Sequence, residues 1–172
     1  MKCSQIFRAL VLSLGLLVFV TTAQAQQYSA KSYLHEFKPV AQELMKESGV
    51  PASVILGVAM LESGMGNSKN ARLLHNHFGI VGKNTLHKKG TYHSKYKEYA
   101  TAEASFESFI KTLKKKKWYR SVKGTSDYAV WLKHMHAGKY SAAGNVWVSR
   151  VTAIITRYKL HALDADMTLA KE

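Results

Sequence analysis

The run Ala59-Met60-Leu61-Glu62-Ser63-Gly64-Met65-Gly66 places a lone acid at the end of an apolar stretch and follows it with a glycine-bearing turn. No charge occurs from Pro51 to Leu61, so the stretch reads as a buried helix with Glu62 at its boundary with a loop. Partial burial disfavours an ionised carboxylate and raises its pKa, which suits a general acid working near neutral pH. Ser63, Gly64 and Gly66 shape the turn that follows, where glycine permits backbone conformations closed to other residues.

Outward from this helix, expected from about Ala52 to Ser63, the apolar spacing is helical nearly throughout. On the N-terminal side Leu34, Phe37, Val40, Ala41, Leu44 and Met45 make one face, with Pro39 a restart or kink and Gly49 a stop. On the C-terminal side Thr101 can cap a helix carrying Phe106, Phe109, Ile110 and Leu113, closed by the basic run Lys114 to Lys117. Thr125 or Ser126 can cap another with Tyr128, Trp131, Leu132 and Met135. Trp147, Val151, Ile154, Ile155 and Tyr158 mark a last helix, and Trp131 and Trp147 read as core residues rather than sugar platforms. Between Phe78 and Tyr99 the pattern changes: glycines punctuate short stretches, tyrosines recur without a helical face, and no acid precedes Glu98. This segment reads as a β-hairpin or a long ordered loop, and the tail from 164 to 172 as frayed.

The chain opens with Lys2 and Arg8, an apolar run from Ala9 to Val20, and the small-x-small site Ala23-Gln24-Ala25. This predicts an export signal over residues 1–25 and a mature chain beginning at Gln26, an uncleaved anchor being the alternative. The apolar run is about twelve residues, short of the roughly twenty that span a bilayer, so no membrane span is expected once the leader is removed. The remainder is one domain, read as residues 26–163. The single cysteine, Cys3, lies in the leader away from the cleavage site, which leaves packing alone to hold an exported fold together. A net charge of +14 points to an anionic partner. Export turns that expectation from nucleic acid toward cell-wall and other envelope polymers, the alternative being that the lysines serve solubility alone.

Val50-Pro51-Ala52-Ser53-Val54-Ile55-Leu56, then Leu61-Glu62-Ser63-Gly64-Met65-Gly66, then Asn76-His77-Phe78-Gly79-Ile80 resembles the glucosaminidase family of peptidoglycan hydrolases. That family includes the flagellar rod-cap muramidase domain and many autolysins. Lys95-Tyr96-Lys97-Glu98-Tyr99 and Ala137-Gly138-Lys139-Tyr140-Ser141 are similar to its later motifs, while Met65 and Val58 stand where it has Trp and Gln. The resemblance implies a lysozyme-like, mainly α fold (α+β) with a small β-hairpin lobe. It further implies cleavage of the β-1,4 bond after N-acetylglucosamine. With the leader, the expectation is an exported monomer of the periplasm or cell exterior, and no cofactor or metal is expected. On this reading Glu62 is the general acid, and Asn76, Phe78 and Tyr140 are substrate-binding candidates, with a structural role equally open to Asn76 and Phe78.

Glycosidases usually employ two carboxylates, and many members of the family carry the second in the hairpin. Here that segment holds lysines and histidines but no acid before Glu98. Glu98 is one candidate, ahead of Glu103 and Asp127. The substrate's own 2-acetamido group as nucleophile is another, and attack by an internal sugar hydroxyl, as in lytic transglycosylases, a third. A glycan-binding module without turnover stays open as the reading from another class. His75-x-His77 and His134-x-His136 invite a metal, but i, i+2 pairs on a helix point apart and read better as ordinary histidines. Lys114–Lys117 beside Trp118-Tyr119 reads either as a basic aromatic patch for a polyanionic glycan or as a solvated helix end.

Overall fold

A computed structural model describes residues 27–165; the expected leader and its cleavage site lie outside them. The elements in order are α1 (Ala30–Ser48), α2 (Ala52–Ser63), α3 (Lys69–Leu74), α4 (Thr85–Lys88), α5 (Ala102–Lys114), α6 (Tyr119–Val122), α7 (Tyr128–Ala137), α8 (Gly144–Arg157) and a closing 3-10 helix, Leu160–Ala165. The fold is mainly α. No described helix is long and apolar enough to cross a membrane.

α2 is the axle of the molecule. Every residue from Ala52 to Met60 is buried, and α1, α8 and the closing 3-10 helix all pack on it. Gly57 makes the α8 contact possible, because a Cβ there would meet Ile155 Cγ1 at 2.8 Å. At its start α2 has Pro51 as N-cap, which offers no side-chain acceptor. That role passes to Asp164, whose Oδ1 accepts from Ser53 N at 2.9 Å across 111 residues. A carboxylate there also meets the positive end of the helix dipole. Asp164, which by sequence belongs to a frayed tail, is buried, and the closing 3-10 helix includes it and Ala165. At the other end Gly64 closes the helix in the left-handed region, at φ 57°.

α1 starts with a reciprocal pair of bonds between Ser29 and Ser32 and ends at Gly49, φ 70°. Pro39 neither restarts nor divides it. Both Pro39 and His35, whose carbonyl the proline cannot bond, are on the exposed side, where water can serve that oxygen. Phe37 stacks on Phe106 of α5 at 5.1 Å between ring centroids, joining α1 to α5. α5 begins at Thr101, as its sequence suggests, with Oγ1 accepting from Ala104 N. α7 is capped by Asp127, whose Oδ1 accepts from Ala129 N at 2.8 Å, rather than by Thr125 or Ser126, and the Trp131 indole bonds the Thr125 carbonyl at 2.9 Å.

The hairpin expected between Phe78 and Tyr99 is not formed among the described residues. One antiparallel bridge, Val81 with Tyr96, stands alone, and the segment between folds into α4. Bonds from Gly82 N to Lys95 O and from Lys97 N to Ile80 O flank that bridge, and the Asn84 side chain serves carbonyls on the outer side of the second arm. Asn84 Nδ2 donates to the carbonyls of Ser94 and Tyr96 at 2.9 and 2.7 Å, while its Oδ1 caps α4 through His87 N. The result is the long ordered loop that was the other sequence reading.

Candidate active site

Glu62 occupies the last turn of α2, half-buried, where the helix meets a cleft of about 500 Å³. The walls come from the Phe78–Val81 turn, Lys95 and Tyr96 of the long loop, Thr112 and Lys116 at the end of α5, and the 139–142 connection between α7 and α8. Glu62 is the one acid among the residues lining it, and Lys95, Lys116 and Lys139 are its cations. Ser63, fully buried, holds the turn beyond the acid by donating to Ala59 O at 2.6 Å and accepting from Gly66 N at 2.8 Å.

Two features set the acid's chemistry. Burial pushes the Glu62 carboxyl above its ordinary value, opposed by a bond from the Trp147 indole N–H to Oε1 at 2.8 Å. The other oxygen, Oε2, is nearest the place where a Cβ at Gly79 would stand, 3.7 Å away. Gly79 also has φ 64°, so a side chain there would be strained by its backbone, although its Cβ would meet the acid only in ordinary van der Waals contact.

Phe78 and Tyr140 are brought to Glu62. Phe78 lines the cleft, stacked on Phe109 at 4.3 Å, and its carbonyl accepts weakly from the Tyr140 hydroxyl at 3.4 Å. Tyr140 packs on the Trp147 ring at 5.2 Å, and burial beside Glu62 pushes its phenol far above its usual range, so it stays protonated. Asn76 does not face the cleft. It is 1% exposed and its amide is fully engaged, donating to Ile80 O and Lys97 O at 2.8 Å each and accepting from Phe78 N and Ile80 N. Its contribution is to shape the turn that carries Phe78 and Gly79.

Glu98 is also elsewhere. Its Oε2 accepts from both N and Oγ1 of Thr85 at 2.6 Å, bonds that hold it below the usual carboxylate range, and it lines a separate hollow beside α4. A carboxylate spent on the start of α4 and outside the cleft is not placed to be a second catalytic group. Asp127 is likewise occupied in capping α7, and Glu103 sits in the first turn of α5, away from the cleft.

His77 is a core residue. Its Nδ1 is 2.8 Å from the Tyr33 hydroxyl, its ring packs among Tyr33, Phe37 and Phe106, and burial lowers its pKa to about 4. His75 Nδ1 bonds the Tyr99 carbonyl. Among the described residues no three His, Cys, Asp or Glu side chains are grouped to hold a metal ion. The rings of the basic aromatic run are structural: Tyr119 donates to Ser48 O, and Trp118 packs on Trp131 at 6.1 Å. Its Lys116 does reach the cleft.

Sequence reading missed Trp147. Its place on the apolar stripe of α8 is correct, and it is 3% exposed, but a buried indole needs an acceptor for its N–H, and Glu62 is that acceptor. The cleft lysines and Tyr96 were also not singled out as cleft residues, because their shared wall is built from segments far apart in sequence.

Among solved structures, the catalytic domain of the autolysin Auto from Listeria monocytogenes is similar at 22% identity and TM-score 0.59, covering 82% of this chain and 92% of that one. The glycoside hydrolase domain of FlgJ from Salmonella typhimurium is similar at 19% identity and TM-score 0.60, covering 84% of this chain and 97% of that one. These likenesses concern the fold. No curated protein sequence matches the chain. The glucosaminidase family model, described as mannosyl-glycoprotein endo-beta-N-acetylglucosaminidase, matches residues 38–160, a span that runs from α1 through α2 and the cleft to the closing 3-10 helix. The chain therefore belongs to the glucosaminidase family and is a glycoside hydrolase.

Proposed function

We propose that this protein cuts peptidoglycan glycan strands at the β-1,4 bond after N-acetylglucosamine, with Glu62 as the general acid. The observation that carries the reading is a single half-buried carboxyl, its pKa raised by burial above the ordinary value, at the wall of an open cleft with no other acid among its lining residues. As the bond from the sugar's anomeric carbon to the glycosidic oxygen breaks, Glu62 gives its proton to that oxygen. A cleft with one carboxylate favours routes that need no second protein acid. In one, the carbonyl oxygen of the 2-acetamido group attacks the anomeric carbon, and water then opens the resulting ring with Glu62 accepting a proton from it. The lysine-bearing rim suits an anionic strand, and the leader expected over residues 1–25 would deliver the protein to the periplasm or exterior where such strands occur.

The test is digestion of purified peptidoglycan by the mature chain and by Glu62→Gln, followed by borohydride reduction and mass spectrometry of the new ends. Reduced N-acetylglucosamine ends made by the wild type alone support the reading. Anhydro-muramic ends would replace it with a transglycosylase, and an unchanged sacculus bound equally by both proteins would replace it with a binding module.

A further inference from the structure

We propose that Trp147 is a positioning residue that fixes the transferable proton of Glu62 on Oε2, the oxygen that serves the cleft. The inference rests on reading Glu62 as the general acid and adds how that acid is aimed. An indole N–H can only donate. At 2.8 Å it holds Oε1 as an acceptor, so when the carboxyl is protonated the proton belongs on Oε2. Oε2 lies 3.7 Å from where a Cβ at Gly79 would stand, in the turn that lines the cleft. Trp147 itself is 3% exposed and is not among the lining residues, so it stands behind the acid and acts through it.

The position is rigidly supplied. Trp147 lies in the first turn of α8, its ring is held against Tyr140 at 5.2 Å, and α8 is locked to α2 where Ile155 fills the space over Gly57. Glu62 and its donor thus sit on two helices that cannot slide past one another without opening the core. The donor also has an electrostatic effect, since it bonds the ionised carboxylate more strongly than the neutral acid and so limits the rise caused by burial. The other titratable groups of the cleft are Tyr140, which feels the Glu62 charge, and Tyr96, Lys95, Lys116 and Lys139 of its lining, all unaltered when only the indole N–H is removed.

The experiment replaces Trp147 by benzothienylalanine, which keeps the bicyclic shape and removes only the N–H, with Trp147→Phe as a second variant and Glu62→Gln as the control. Peptidoglycan cleavage is followed across pH, and the Glu62 carboxyl is titrated by carbon-13 NMR as the Glu62→Gln difference. Expected are a kcat about tenfold to a hundredfold lower with KM unchanged. The alkaline limb and the carboxyl titration should move upward together by roughly one pH unit, the effect of losing one charge-assisted bond. An isosteric variant with wild-type kcat and an unmoved titration overturns the positioning role. A Glu62→Gln protein that still cleaves overturns the general acid instead, and the NMR titration reports on the bond even then.

Discussion

Replacing His77 by Gln should remove about 3 kcal/mol of acid sensitivity from this fold. In the unfolded chain the imidazole titrates near its ordinary 6.5, whereas in the fold burial, aided by the nearby His75 and opposed by Glu103, lowers it to about 4. Between those values the unfolded chain binds the proton and the folded one does not, so stability is present in full above 6.5 and is lost as pH falls toward 4. A difference of two and a half units at 1.36 kcal/mol each gives about 3 kcal/mol between pH 7 and pH 4. Gln is chosen because its carbonyl can still accept from Tyr33, whose phenol is fully buried and kept protonated by burial. Urea denaturation of the wild type and His77→Gln at both pH values isolates the effect, because the carboxylates common to both cancel. His77→Gln should be less stable than the wild type at pH 7 by about 1–3 kcal/mol and close the gap at pH 4. Equal losses for the two proteins on acidification would refute the assignment of a buried neutral imidazole.

Asp164→Ala should lower stability by about 1–3 kcal/mol, because it strips the start of α2 of the one side-chain acceptor it has among the described residues and leaves the buried Ser53 N–H without that partner; the urea midpoint measures it. Gly79→Ala should cost about 1–2 kcal/mol from its left-handed backbone, read as a lowered midpoint in thermal melting, while its Cβ fits beside Glu62 Oε2 in ordinary contact at 3.7 Å. Lys116→Gln combined with Lys139→Gln should raise KM for peptidoglycan and flatten its salt dependence while leaving kcat near the wild-type value, as measured by turbidity clearing at two ionic strengths. In the wild type, cleavage should decline as pH rises through a Glu62 pKa above 4.5, later than an ordinary carboxylate would allow, and the pH profile of kcat/KM checks the sign.

The limits of α2, the stop at Gly49 and the cap at Thr101 are legible because each is a local matter: apolar run, left-handed glycine, hydroxyl before a helix. Glu62 is legible for the same reason, as the one charge on an otherwise apolar helix. What sequence does not display is what comes from afar. Asp164 resembles a tail residue until α2 is seen to need an acceptor, and Trp147 resembles core until its N–H is seen to need one. Asn76 and Glu98 show the converse. Their polar groups suggest contact with a ligand, yet backbone groups of the Phe78 turn and its neighbouring arm, and of the start of α4, have taken up their bonding capacity. The family motif supplied the place of the acid but not the direction in which it points.

The helix that bears Glu62 is finished at both ends by residues made long after it. Its start awaits Asp164, 111 residues downstream of Ser53, and its carboxyl awaits Trp147, 85 residues further along the chain. A chain that emerges N-terminus first, from a ribosome or through a membrane pore, therefore passes most of its length with the acid unaimed and α2 uncapped. Cutting power over a structural polymer would then arrive all at once, with the last helical turn, rather than growing as the protein appears.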